Sequence, residues 1–400
     1  MRSNYKRLGD YIQEVDVRNE RLKITNLLGL TVNKAFIPSV ANTVGTDMER
    51  YKIIRKNQFA CSTMQVRRDG KMPVALLKDF DEAIISQAYP IFEVIDETEL
   101  LPDYLMMWFS RSEFDREACF HAVGGVRGSL EWEDFLNFQL PVPSPEKQRE
   151  IVAEYNAVQK SIDLNNQLIQ KLEETAQAIY KQWFVNFEFP DENGKPYKSN
   201  GGEMVGSELG EIPKGWTIGN MGKVFKIMAG GDKPETYSDI KNGKYNIPIY
   251  SNGVVNKGLY GFTDKANYPA KSITISARGT IGYSVLRQTS FDAIVRLLVL
   301  IPQYPFEAIY LWQAIKTIEF DDSGSVQSQL TVPQISNLQI LLPTIEILKV
   351  YDSILRVIYN KIELYETANK KLEELLSVLL SKLSTIGKEI SINNYNKNKK

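Results

Sequence analysis

Two long stretches of the chain carry apolar residues at an unbroken 3-4 spacing. In the first, Tyr155, Val158, Ile162, Asn165, Ile169, Leu172, Ala176, Ile179 and Trp183 share one stripe; in the second, Leu355, Ile358, Ile362, Tyr365, Asn369, Leu372, Leu376, Leu379 and Leu383 do. That alternation keeps side chains on one helix face and is the a/d pattern of a coiled coil. No Pro or Gly interrupts either stripe, so each predicts a helix of roughly 55 Å at 1.5 Å per residue. The helices are expected over 146–187 and 344–385. An amphipathic helix lying on its own domain would show the same stripe, but four heptads twice over favour mutual pairing. Each seam has one interior Asn: Asn165 at a d-type position and Asn369 at an a-type position. Antiparallel packing sets a against d, so one register places Asn165 opposite Asn369. It also sets Ile162 against Leu372, Ile169 against Tyr365, Val158 against Leu376 and Tyr155 against Leu379, all apolar or aromatic. A buried Asn left unpartnered costs about 1–3 kcal/mol, which selects this register.

Residues 1–145 and 213–343 read differently. Short β-rich runs such as Ser272-Ile-Thr-Ile-Ser276 and Pro90-Ile-Phe-Glu-Val-Ile95 sit among Gly, Asn and Asp turn signals. Each module also carries an aromatic-rich helical piece, Leu101 to Phe114 and Phe306 to Phe320. Residues 188–212, with Asp191-Glu-Asn-Gly-Lys-Pro and Ser199-Asn-Gly-Gly202, read as a flexible linker. Residues 386–400 read as a polar, disordered tail.

The halves repeat at a lag of 200 residues. Leu130-Glu-Trp-Glu-Asp-Phe-Leu-Asn137-Phe-Gln139 lies over Leu330-Thr-Val-Pro-Gln-Ile-Ser-Asn337-Leu-Gln339, and Lys171-Leu-Glu-Glu174 over Lys371-Leu-Glu-Glu374. From Gly124 to Glu174 the copies align without a gap, with about 13 identities in 51 positions. A period this long means a duplicated domain rather than a solenoid. Duplication implies approximate two-fold symmetry, and duplex DNA is the foremost target read by paired half-sites. The middles of the modules differ more than their ends, as two copies of one scaffold with different targets would.

Composition narrows the classes. Two cysteines, Cys61 and Cys119, imply no disulfide framework. The first residues lack a signal-peptide core, and the apolar run from Ala293 to Ile301 is interrupted by Arg296 and too short to span a bilayer. A cytoplasmic protein with no membrane partner is expected. The net charge of −1 is low for a lone nucleic-acid binder. Residues 213–343 hold 13 basic and 9 acidic groups, residues 1–143 hold 18 and 21. Clustering of the basic groups on one face, with a partner supplying further phosphate contacts, reconciles the two.

Catalytic signatures are missing. His121 is the single histidine; CxxC and HxxxH spacings, a GxxxxGK[ST] loop and the Asn-Pro-Pro-aromatic motif of adenine methyltransferases are absent. Met228-Ala-Gly-Gly-Asp-Lys-Pro234 has Pro where a phosphate loop needs Ser or Thr and reads as a turn. Pro190-Asp-Glu-Asn-Gly-Lys195 has the wrong spacing for a nuclease triad. A recognition protein without catalysis or cofactor is expected.

The chain resembles the specificity subunit of type I restriction-modification systems. Thr175-Ala-Gln-Ala-Ile-Tyr-Lys-Gln-Trp-Phe-Val-Asn-Phe187 is similar to the end of that family's central helix, and Leu209-Gly-Glu-Ile-Pro-Lys-Gly-Trp216 to the lead-in of its second recognition domain. Gly324-Ser-Val-Gln-Ser-Gln-Leu330, followed by Leu342-Pro343, is similar to that domain's exit. The resemblance implies an α+β fold: two mixed target-recognition domains joined by two long antiparallel coiled-coil helices with pseudo-two-fold symmetry. Each domain would read one half of a split site in double-stranded DNA, the helices acting as a ruler. Two methyltransferase subunits, and in the full enzyme two motor-nuclease (restriction) subunits, would assemble on it and supply methyl donor and catalysis.

Base reading needs Arg, Lys, Asn, Gln, Ser or Thr on exposed loops. The first module offers Gln65, Arg67, Arg68 and Lys71 in one polar turn, and Arg127 between glycines. The second offers Ser276, Arg278 and Thr280 after a strand, Asn252 and Lys257 in another loop, and Gln327 and Gln329 at the repeat positions of Arg127 and Ser129. The near-neutral charge keeps a second reading open, a coiled-coil adaptor whose two domains bind protein or carbohydrate.

Overall fold

The computed structural model describes residues 5–41, 45–123, 128–320 and 329–397, with side chains up to 384. The chain forms two compact units, Met1–Asn165 with Thr367–Lys400, and Asn166–Glu366. Each therefore contains one mixed module and part of both long helices, Pro145–Tyr180 and Ile345–Lys397.

In unit one, a four-stranded antiparallel sheet runs in the order Ile12–Val15, Ile91–Val94, Phe59–Cys61, Val74–Leu76. Of its two inner strands, Phe59–Cys61 is buried at every position, which is why it reads as a short continuous apolar run rather than an alternating one. Helix Pro102–Phe109, begun by a Pro that lacks the N–H a first turn cannot satisfy, packs against the sheet with Ser112–His121. Aromatic contacts fill the gap: Phe59 stacks on Phe92 at 5.0 Å, and Phe92 meets Phe135 at 5.6 Å. Strand Tyr5–Arg7 pairs with Gln139–Pro141 at the foot of the module. There buried Gln148 accepts from Leu101 N–H at 2.8 Å and donates to Glu99 O and Pro143 O, at 2.7 and 2.9 Å. Leu383, from the second long helix, is buried in this core, and Tyr5 Oη donates to Ser384 O at 3.0 Å.

Unit two repeats the plan: Phe225–Ala229, Leu298–Pro302, Ser272–Ile275, Ser284–Arg287, all antiparallel neighbours. The internal hydrogen bonds also recur. Leu8 N–H donates to Phe138 O at 2.7 Å in one unit, Met221 N–H to Leu338 O at 2.9 Å in the other. Tyr104 Oη donates to Pro141 O at 3.0 Å, Tyr310 Oη to Leu341 O at 2.6 Å. Trp183 and Phe184 occupy in unit two the repeat positions of Leu383 and Ser384. They sit in a wide π-type turn, Lys181–Val185, that ends the first long helix, and Phe184 packs 4.5 Å from Tyr310.

The seam has the expected register. Asn165 Nδ2 donates to Asn369 Oδ1 at 2.8 Å within unit one, where Ile162 and Leu376 are buried. Within unit two, Trp183 lies 5.6 Å from Tyr351. That is eighteen residues on from Asn165 against eighteen residues back from Asn369, the same antiparallel register.

Two expectations are corrected. Residues 188–212 are folded, not a flexible linker: Phe189 stacks between Tyr197 and Trp216 at 4.6 and 5.0 Å. Asp191 accepts from Asn193 and Lys195 N–H groups, and Met204–Ser207 pairs with Gly210–Pro213 as a hairpin. The C-terminal segment is helical through Lys397; its Asn and Lys residues are polar, but none of them breaks a helix as Pro would.

Candidate nucleic-acid interface

In unit two the strand Ser272–Ile275 runs into a tight excursion. Ser276 N–H donates to Tyr283 O, Tyr283 N–H to Thr280 O, and Gly279 and Gly282 have φ of 72° and 84°. A side chain at Gly282 would meet the Phe320 ring at 2.5 Å, so glycine is required there on two counts. The tip exposes Arg278 and Thr280. Arg278 Nη2 donates to Gln329 Oε1 at 2.7 Å, joining two of the expected contacts into one element.

The remaining candidates of this unit divide. Ser276 is 1% exposed and cannot touch a duplex; this expectation is corrected, because the residue is buried just past the strand's end, at the base of the loop, with its N–H on Tyr283 O. Asn252 is a clamp: its Oδ1 accepts from Ala277 N–H at 2.8 Å and its Nδ2 donates to Val295 O at 2.7 Å. Lys257 is held by Glu366, at 2.6 and 2.8 Å to the two carboxylate oxygens. Its carbonyl accepts from Arg287, a buried guanidinium stacked 3.5 Å from the Tyr250 ring centroid. Burial pushes that guanidinium's pKa down to about 10.

In unit one the equivalent strand, Phe59–Cys61, runs into a loop whose Gln65 has φ 64°, the place Gly279 holds in the other copy. One turn of helix, Val66–Asp69, then presents Arg67 and Arg68 outward. Arg67 N–H donates to Gly128 O at 3.2 Å, and a Cβ on Gly128 would lie 2.5 Å from Arg67 Cβ. Arg68 pairs with Asp69 at 2.7 Å. Lys71 stands apart, at a cavity of about 480 Å³ that also holds the Lys34–Asp115 ion pair at 2.8 Å. Both loops are backed by one recurring hydrogen bond, Leu130 N–H to Thr63 O and Leu330 N–H to Ala277 O. Arg127 and Gln327 lie outside the described residues.

One surface group escaped the sequence reading. Lys233 Nζ lies 4.5 Å from the Tyr237 ring and 5.9 Å from the Tyr260 ring, a basic and aromatic patch in the loop read only as a turn. Among the described residues no cluster of His, Cys, Asp and Glu is placed to hold a metal ion. No described helix is long and apolar enough to cross a membrane.

Comparison with known proteins agrees with this plan. The model of the type I restriction modification DNA specificity domain matches twice, over residues 52–174 and 213–374. A type I specificity subunit from Mycoplasma pneumoniae is 31% identical over 46% of this chain and 48% of its own length. The HindI specificity subunit of Haemophilus influenzae is 20% identical over 94% of this chain and 97% of its own. The matched stretch spans about half the length of the first two curated relatives, 48% and 55%. Among solved structures, a type I restriction-modification S subunit from M. genitalium shares the fold with TM-score 0.59, at 14% identity and covering 95% of each chain. The duplicated match covers more than half of the sequence, and the chain belongs to the type I restriction-modification DNA specificity family.

Proposed function

We propose that this chain reads a split site in double-stranded DNA, one half with each unit, and contributes no catalytic group of its own. The carrying observation is the Arg278–Gln329 pair on an exposed loop, with a counterpart loop bearing Arg67 and Arg68 at the same place in the other unit. A guanidinium fixed by a side-chain amide is pre-aimed, and an Arg fork matches the O6 and N7 acceptors of guanine in the major groove. The 13 basic against 9 acidic groups of residues 213–343 supply the positive field that phosphate binding needs.

Partners dock on the long helices in this reading. In unit two Val350, Ile354, Val357 and Leu364 recur at helical spacing and are exposed, Leu364 at 70%, although the seam with the other helix is already filled. An apolar stripe outside a complete seam suits further helices. Two methyltransferase subunits would take this role, joined in the full enzyme by restriction subunits, and the target adenine would be flipped into the methyltransferase pocket. Such an assembly works on chromosomal DNA, in the cytoplasm. Methylome sequencing of a host carrying this gene with its methyltransferase partner tests the proposal. Two short half-sites with a fixed gap are expected; a contiguous motif, or none, contradicts it.

A further inference from the structure

In unit two the backbone of the turn from Ile294 to Leu297 contradicts its residues. Ile294 to Leu297 is closed by Leu297 N–H donating to Ile294 O at 3.1 Å, and its central residues Val295 and Arg296 have φ of 53° and 59°. This is a type I′ geometry, which Asn and Gly favour because both central residues are left-handed. A β-branched residue there is an outlier, and Val295 gains little burial in return, being 53% exposed. Such strain persists only where the surroundings over-determine it, and it gathers at functional sites.

The surroundings that hold it are specific. Val295 N–H donates to Gly231 O at 3.0 Å, in the loop that carries Lys233. Val295 O accepts from Asn252 Nδ2, and Asn252 Oδ1 accepts from the N–H of Ala277, the residue before Arg278. Residue 295 is thereby tied to the Lys233 loop, the Asn252 loop and the Arg278 loop. The next residue, Arg296, is exposed. It is the charged interruption of an apolar run, and no hydrogen bond or ion pair among the described residues engages its guanidinium.

We propose that Arg296 is a base-contacting residue of unit two, addressing the same half-site as Arg278. The inference rests on the DNA-reading function proposed above. A guanidinium with no partner among the described residues, on a turn pinned from three sides, has the fixed origin that bidentate base reading requires, which a phosphate contact does not.

The test is selection of duplexes from a library with randomised positions by the full chain, compared with Arg296→Gly and Arg278→Ala, followed by affinity for the selected duplex. Glycine suits a φ of 59°, so Arg296→Gly is expected to fold with an unchanged or raised Tm while lacking the side chain. Its expected result is binding weaker by about tenfold, equivalent to about 1.4 kcal/mol, with base preference lost in one half-site and the other half-site intact. If Arg296→Gly selects the wild-type motif with undiminished affinity while Arg278→Ala does not, Arg296 is removed and DNA reading stands. Uniform weakening with an unchanged motif makes Arg296 a phosphate contact and also overturns the inference. If the wild-type chain selects no motif, the inference falls together with the reading beneath it.

Discussion

Asn165 donates to Asn369 at 2.8 Å in a seam that is otherwise apolar over many layers. Asn369 is only 7% exposed, so its amide depends on partners inside the protein. Replacing Asn165 by Ala removes one of them and is expected to lower stability by about 1–3 kcal/mol. Replacing both by Leu is expected to recover stability while weakening the choice of register. Denaturant titration of the single and double variants checks the order; additive losses in the double variant would contradict it.

Arg278→Ala is expected to weaken specific DNA binding by about 1–3 kcal/mol and to relax one half-site only. Gln329→Ala, which frees the guanidinium without deleting it, is expected to act at the same positions more weakly. Affinity measurements on matched and substituted duplexes check both.

Trp183 closes the core of unit two from the end of the first long helix, packed between Phe184 and Tyr351. Trp183→Ala is expected to cost about 3–5 kcal/mol. Amide hydrogen exchange should show the loss in unit two first.

Three buried tyrosines of unit two, Tyr310, Tyr351 and Tyr359, and the half-buried Tyr180 have hydroxyls that burial holds protonated beyond their ordinary value of 10.0, Tyr180 to about 12. A folded-state pKa above the unfolded one gives stability that is complete below the unfolded value and is lost as pH rises through the folded value. Tm is therefore expected to fall between pH 10 and 12, and Tyr180→Phe to soften the fall. A flat Tm over that range would contradict it.

The helical seam was legible because its signal is local and periodic, and because a polar residue stands out among apolar layers. The duplication was legible from the two ends of each module. Residues 188–212 were not, since Glu and Gly are the commonest residues while Phe189, Tyr197 and Trp216 carry the packing. At the site, residue type identified Arg278 and Gln329 but said nothing of their contact across 51 positions. Asn252 has the chemistry of a base reader, yet its amide is spent on backbone groups 25 and 43 positions away. Such commitments are set by tertiary structure and leave no trace in a single sequence. Arg296 was hidden by its apolar neighbours; a charge in the middle of a strand-like run was the available signal.

Methylome sequencing of hosts carrying wild type, Arg278→Ala, or Arg67→Ala with Arg68→Ala, each with the methyltransferase partner, tests most directly whether each unit reads its own half-site. Wild type is expected to give a split motif, Arg278→Ala to degrade one half of it, and the Arg67/Arg68 variant to degrade the other. A contiguous motif, or a variant of one unit that alters both halves equally, would contradict it.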